Sequence, residues 1–269
     1  MTTPDGEFVE VKGLRVTFNV SKTRVAEQNV ADISIMNLAE STRRKIVAKN
    51  SHVSLLAGYE ENTGLLSIFE GQIIYGHTEI APPEVITDLQ VGDGAHTLRE
   101  TRVAVSFSSG ATLAGAIRKL AGAMQLPLLM PTPVRGRFIN GYSFEGPARR
   151  ALTQILKAER YEWSVQDGEL QVLPEFSPLD KNGILISPST GLLSTPEPIN
   201  YNRGQLDNSQ EPEPQWRVRS LLQPELKPGK LVVVESSAIN GTFLVENAQH
   251  VGDSDTGEFS TIVEVRELV

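Results

Sequence analysis

Apolar and polar residues alternate from Leu14 to Val20: Leu14, Val16, Phe18 and Val20 fall on one side, Arg15, Thr17 and Asn19 on the other. A period of two places one set inward and one outward, which predicts a half-buried strand. The same alternation recurs in Ala31, Ile33 and Ile35 against Asp32, Ser34 and Met36. Further strands are predicted at 52–59, 65–75, 85–91 and 101–107. Glu61-Asn62-Thr63-Gly64 and Gly92-Asp93-Gly94 supply turn chemistry between them. One short helix interrupts this series, capped by Ser41 and running from Thr42 to Lys49.

The period changes after residue 107. Leu113, Ile117, Leu120, Ala121 and Met124 recur at three- and four-residue spacing, which predicts a helix over 113–124. Ser109 or Thr112 can cap it, and Pro127 stops it. A Pro-rich link leads to a strand candidate at 138–144. A second helix starts at Gly146-Pro147, with Ala151, Leu152, Ile155 and Leu156 as its apolar stripe. Two alternating runs around Asp167-Gly168 then form a hairpin, because that dipeptide suits a two-residue type I′ turn.

Residues 176–215 are rich in Pro, Ser, Asn and Gly, and only Ile184-Leu185-Ile186 suggests a short strand there. The stretch 202–214 reads as a long loop or linker. From Trp216 onward the pattern is β again: 216–222, 231–235, 242–251 and 259–268, with turns at Lys227-Pro228-Gly229-Lys230 and Asn240-Gly241. The organisation is thus 1–107 β, 108–175 α+β, 176–215 linker and 216–269 β, the last taking in part of 176–215. A chain of 269 residues can hold two or three such units.

Composition narrows the function more by exclusion than by indication. With no cysteine, thiol nucleophiles, thiolate metal sites and disulfides are excluded. No apolar run is long enough to span a bilayer. The N-terminal residues lack a basic flank before an apolar run, so folding in a cytoplasm is expected. A net charge of −8 argues against a broad nucleic-acid-binding surface.

Catalytic patterns are missing. His52, His77, His96 and His250 show no metal-ligand spacing. There is no nucleophile elbow, phosphate loop or dinucleotide fingerprint. Asp253, Asp255 and Glu258 cluster near the C-terminus, but their spacing suits neither a Ca²⁺ loop nor more than a solvated turn. Trp163 and Trp216 lie in alternating strands and are expected to pack. No cofactor, metal or catalytic residue is therefore expected. The basic run Arg43, Arg44 and Lys45 reads first as a solvated helix face, and otherwise as a contact for an acidic neighbour.

Several stretches resemble the baseplate hub proteins of bacteriophage tails. Ala31-Asp32-Ile33-Ser34-Ile35-Met36-Asn37-Leu38 running into the capped helix is similar to their first barrel, as are Val53–Tyr59 and Ile68–Ile73. Leu226-Lys227-Pro228-Gly229, Asn240-Gly241-Thr242-Phe243 and His250-Val251-Gly252-Asp253 resemble their last barrel. The middle unit, with Glu162-Trp163 and the Asp167-Gly168 hairpin, resembles their central domain.

The resemblance implies a mainly β fold with α+β, two tube-like β-barrel domains flanking a small α+β domain. It implies a homotrimer that presents a pseudo-sixfold ring, joins the hexameric tail tube to the trimeric spike, and lines a lumen through which DNA passes without specific binding. Its place would be the tail baseplate of a contractile phage or related particle, assembled in the host cytoplasm. The long Pro-rich loop becomes a candidate contact for the spike, a tape-measure protein or a neighbouring subunit. Two other readings stay open: a tail-tube or distal-tail ring protein, and a baseplate-associated cell-wall hydrolase.

Overall fold

The computed structural model of the chain describes residues 1–3, 5–47, 51–59, 64–199 and 215–268. Strands hold 49% and helices 14%, so the fold is mainly β. The first segment comprises β1 (Val16–Thr23), β2 (Val30–Met36), α1 (Glu40–Ile46), β3 (His52–Ala57), β4 (Leu66–Ala81) and β5 (Glu84–Gly92). The middle unit comprises α2 (Ala95–Glu100), β6 (Arg102–Phe107), α3 (Leu113–Met124), β7 (Leu128–Leu129), β8 (Tyr142–Pro147), α4 (Ala148–Lys157), β9 (Tyr161–Gln166) and β10 (Glu169–Pro174). The last segment comprises β11 (Gly183–Ile186), β12 (Glu197–Ile199), β13 (Gln215–Leu221), β14 (Leu231–Glu235), β15 (Asn240–Asp253) and β16 (Phe259–Glu267).

The first and last segments share one sheet. Its strand order is β12-β13-β16-β15-β1-β2-β5-β4-β3, with β14 on β15 and β11 parallel to β14. The joint is β1 against β15, antiparallel over seven residue pairs from Thr17↔Asp253 to Thr23↔Asn247. One edge of β15 is divided between two partners: Asn240–Leu244 pairs with β14, and Asn247–Asp253 pairs with β1. Separate barrels were the sequence expectation. Among the described residues the path instead ends at β3 and β12 and closes no ring. The reason is a pairing between residues more than 220 positions apart, which local patterning does not encode.

Three apolar clusters lie in the fold, and no buried residue belongs to two of them. The first collects Phe18, Val20, Ile33, Ile35, Phe69 and Leu89. The last segment reaches into it with Leu222 and with Phe259, whose ring meets Tyr59 edge-on at 5.3 Å. Gly252 lies against the Phe18 ring, so close that an added Cβ would stand 2.2 Å from it. The third cluster collects Val218, Val232, Val234, Phe243, Val245, Val263 and Val265.

The middle cluster is built from the predicted stripes of α3 and α4 together with Trp163, Val165, Leu170 and Val172. Thr112 caps α3 by accepting a hydrogen bond from the Gly115 N–H at 3.2 Å. The helix ends at Gln125 in the left-handed region, two residues before Pro127. Strand β6 was grouped with the first β segment by sequence, but it pairs with β8 and places Val105 in the middle cluster.

Other local expectations shift for identifiable reasons. Helix α1 starts at Glu40 with Ala39 as its N-cap, so Ser41 lies inside it and caps nothing. The chain enters the helix two residues earlier than the polar cap signal suggested, directly after the buried Leu38. Pro147 is the N-cap of α4 rather than its first turn. Strand β8 begins at Tyr142, because Gly141 takes a positive φ of 75° where its backbone meets the Phe107 carbonyl. The stretch 202–214, the turn residues 61–63 and the predicted helix end at Lys49 lie outside the described residues.

Candidate functional site

The shared sheet has one apolar face and one polar face, as period-two patterning requires. Following the register across the joint, Leu221, Ser260, Val251, Asn19, Asp32, Gln90 and Tyr75 form one row over seven strands. At the usual strand spacing this row is about 29 Å long. A second row joins Asp253, Thr17, Ser34, Asp88 and His77. The face is therefore continuous from the last segment into the first.

Its side chains bond mostly to one another. Gln249 donates to Asn19 at 2.9 Å, Gln90 to Asp32 at 3.2 Å, and Ser34 to Asp88 at 2.5 Å. Every arginine on this face meets a carboxylate: Arg15 with Asp253 at 2.7 Å, Arg217 with Glu264 at 2.9 Å, and Arg219 with Glu258 at 2.7 Å. The arginine hydrogen bonds hold Asp253 below the usual carboxylate range, and a bond from Ser260 does the same for Glu258. Among the described residues, Asp32 and Asp88 are bonded by an amide and a hydroxyl and have no cationic partner. The face thus ends with acid in excess and its cations already neutralised.

The Asp253, Asp255 and Glu258 cluster is absorbed into this arrangement. Asp253 receives both Arg15 and the Asp255 N–H, while Glu258 faces Arg219 and Ser260. Among the described residues no group of three His, Asp or Glu side chains could hold a metal ion. His52, His77 and His96 are exposed. His250 lies on the apolar face, fully buried, with Nδ1 2.9 Å from the Thr261 hydroxyl. Burial, with Lys22 and Lys227 nearby, drives its pKa down to about 3, so it is neutral.

A second polar site fastens the middle unit to the sheet. Lys22 continues the inward series of Phe18 and Val20, and its ammonium reaches Asp167 at 2.5 Å with its side chain fully buried. Lys227 reaches the other oxygen of Asp167 at 2.7 Å. Asp167 and Gly168 both have positive φ, 53° and 83°, and their N–H groups point to Asp93 at 2.5 and 2.8 Å. Asn29 donates to the Val165 carbonyl at 2.8 Å, and Gln166 donates to the Thr23 carbonyl at 2.7 Å. Arg24, also buried, pairs with Glu162 at 2.8 Å.

Charge in this clasp is finely set. Burial pushes Asp93 up to about 6, against the two N–H groups that favour its charged form. Burial also pushes Asp167 upward, but Lys22 and Lys227 outweigh it and hold the carboxyl below its ordinary value. Burial lowers Lys22 in spite of Asp167. The hairpin predicted from Asp167-Gly168 is present. Its ion pairs were not legible, because Asp93 reads as turn chemistry and nothing near Lys22 names the partner of its inward ammonium.

The basic run sits on α1, apart from both sites. Arg44 pairs with Glu40 at 2.5 Å and Lys45 with Glu7 at 2.6 Å, both in solvent. Arg43 buries its Nε with no hydrogen-bond partner among the described residues. Sequence reasoning also missed a row of stacked rings, Phe107, Phe138, Tyr142 and Phe144, which closes one margin of the middle core. Phe107, Tyr142 and Phe144 sit at every second position of β6 and β8, which is the signal that could have found them.

A family model described as baseplate hub gp41 matches residues 1–265. No curated protein sequence matches the chain. Among solved structures, it is similar to the 43 kDa tail protein of prophage MuSo2 from Shewanella oneidensis, at 9% identity and a TM-score of 0.68 over 94% of this chain and 93% of that one. It is similar to a tail protein from Neisseria meningitidis MC58, at 11% identity and a TM-score of 0.67 over 93% and 91%. It is also similar to the Escherichia coli c3393 protein, a component of the type VI secretion system. That match has 9% identity and a TM-score of 0.62, over 98% of this chain and 77% of that one. At these identities the likeness is one of fold.

Proposed function

The chain belongs to the baseplate hub gp41 family, structural proteins of the phage tail baseplate, and from that premise we propose that it is the adaptor that joins tail tube to spike. In this reading three copies form a ring. The two β segments act as two tube-like, barrel-type halves, with the α+β unit of 108–175 set between them. Two similar halves in each of three copies give six related positions toward the tube and three toward the spike. The ring is built in the host cytoplasm, uses no cofactor and catalyses nothing.

One observation carries the reading: a single polar sheet face runs unbroken through both β segments, with its arginines paired and its carboxylates in excess. Lys and Arg that are free to reach phosphate hold DNA by releasing its counterions. A wall without such free cations lets DNA pass without gripping it. We assign this face to the lumen.

The test is charge reversal at the two unpaired acids. Asp32→Lys with Asp88→Lys should leave tail assembly intact and slow genome release from purified particles, with the delay fading as salt rises. Unchanged release would remove the face from the lumen. The mass of the free chain is the companion measurement: three times 29.4 kDa, 88.2 kDa, is expected, whereas a sixfold ring would favour a tube protein. Reproducible turnover of cell-wall substrate would favour the hydrolase reading instead.

A further inference from the structure

Strand β4 outruns its neighbour β3. The β3 ladder on one edge of β4 stops at Gln72, while β5 follows the other edge to Ala81. Strand β5 stays bonded to β2 and Asn37 as far as Val85, so only the end of the hairpin stands clear of the sheet, as a short arm. Its tip, Glu79-Ile80-Ala81-Pro82-Pro83-Glu84, is exposed at all six positions, with Ile80 at 70%. No hydrogen bond or ion pair within the chain engages the carboxylates of Glu79 and Glu84 among the described residues. An exposed strand edge with an apolar residue between two charges is an unsatisfied docking element.

A complementary feature lies on the middle unit. Residues 93–175 hold ten Lys and Arg against eight Asp and Glu, a net of +2, so the rest of the chain carries −10 of the total −8. On α4, Arg149 and Arg150 are exposed, and neither has an ion-pair partner among the described residues. They border a groove of about 300 Å³ floored by Trp163, Thr153 and Gln154 and closed by Ala26. The arm offers a short apolar stretch between two anions. The groove offers two exposed guanidiniums above a buried indole.

These two features cannot meet within one molecule. Ala26 belongs to the turn joining β1 to β2, and at that end Val30 lies opposite Gly92, which lies opposite Gln72. The arm tip is ten residues further along β4, about 33 Å away at ordinary strand rise. Acceptor and donor stand at opposite ends of the same strands. Such an arrangement is satisfied head to tail between copies, and a contact of that kind generates a ring when the rotation closes.

We propose that the Glu79–Glu84 tip of one copy seats in the Arg149–Arg150 groove of a second copy of this chain. The proposal rests on the trimeric hub reading and names the contact that closes the ring. Ile80 lies over the groove between them, and the two carboxylates meet the two arginines.

The test is a charge swap read by light-scattering mass on the full chain. Arg149→Glu with Arg150→Glu, and separately Glu79→Arg with Glu84→Arg, should each drop the mass from 88.2 kDa to the monomer's 29.4 kDa. All four changes together should restore the trimer. All four side chains are exposed, and circular dichroism of each variant checks that it is folded. Variants that stay trimeric, or a fourfold variant that stays monomeric, overturn this contact and leave the hub reading standing. A wild type that remains at 29.4 kDa at every concentration overturns both.

Discussion

The sheet is held to its other half by backbone, and the middle unit is held to the sheet by side-chain charge. At the β1–β15 joint, seven residue pairs stand in register along an antiparallel main-chain ladder, and Phe18, Gly252 and Phe259 pack beneath them. At the clasp, one carboxylate meets two lysines and a second carboxylate receives two N–H groups. A ladder is strong because its many similar bonds depend on no one residue. A buried charge network depends on each member, since removing one leaves the others buried without a partner. The two joints should therefore fail differently.

The largest effect is expected at the clasp. Asp167→Ala strands Lys22 and Lys227 and should cost about 3–5 kcal/mol. Hydrogen exchange should show β9 and β10 opening before the β1–β15 ladder, and simultaneous opening of both would erase the distinction. Protonation separates the joints next. Asp93 is raised to about 6, so between pH 4 and 6 the folded chain keeps a proton that the unfolded chain loses, and stability falls as pH rises. His250, opposite Val20 in the ladder, is lowered to about 3, so stability falls as pH drops from 6.5 toward 3. Each is worth on the order of 3 kcal/mol or more, with opposite sign. Urea midpoints of the wild type should vary little over pH 4–6. Asp93→Asn should make them fall with acid, and His250→Gln should make them rise.

Gly252→Ala tests the ladder itself. Its Cβ collides with the Phe18 ring, and the overpacking should cost about 1–3 kcal/mol. The loss should appear in both β segments at once, by exchange at β5 as well as β16. The smallest effect is expected on α1. Arg44→Ala breaks an exposed pair with Glu40 and should move stability by less than about 0.5 kcal/mol. A larger change would mean that this pair does more than its exposure allows.

What was legible in the sequence divides along the same line. Elements came through where local chemistry determines them. Asp167-Gly168 can hardly be other than a tight hairpin turn, and the stripe from Leu113 to Met124 can hardly be other than a packed helix. The short α2 was missed because Gly94 and His96 give no stripe or side-chain cap, and its helix lasts only six residues. The sharing of one sheet was invisible, since the partner of Asn19 is Val251 and nothing near either announces the other. Lys22 was the clue available: a lysine at the inward position after Phe18 and Val20 signals a buried partner. The polar face was half legible, because the outward residues of each strand could be named but not joined into rows.

Strand β15 gives one edge to β14 and then, further along, the same edge to β1. A pull that tries to draw the first β segment away along the strand direction therefore loads seven residue pairs in shear, all together. They cannot be peeled one at a time. The same strand runs on without a break into the body that holds β14 and β16. Thrust arriving at either half of the molecule is thereby passed to the other through continuous covalent chain, and the joint behaves as a splice rather than a hinge.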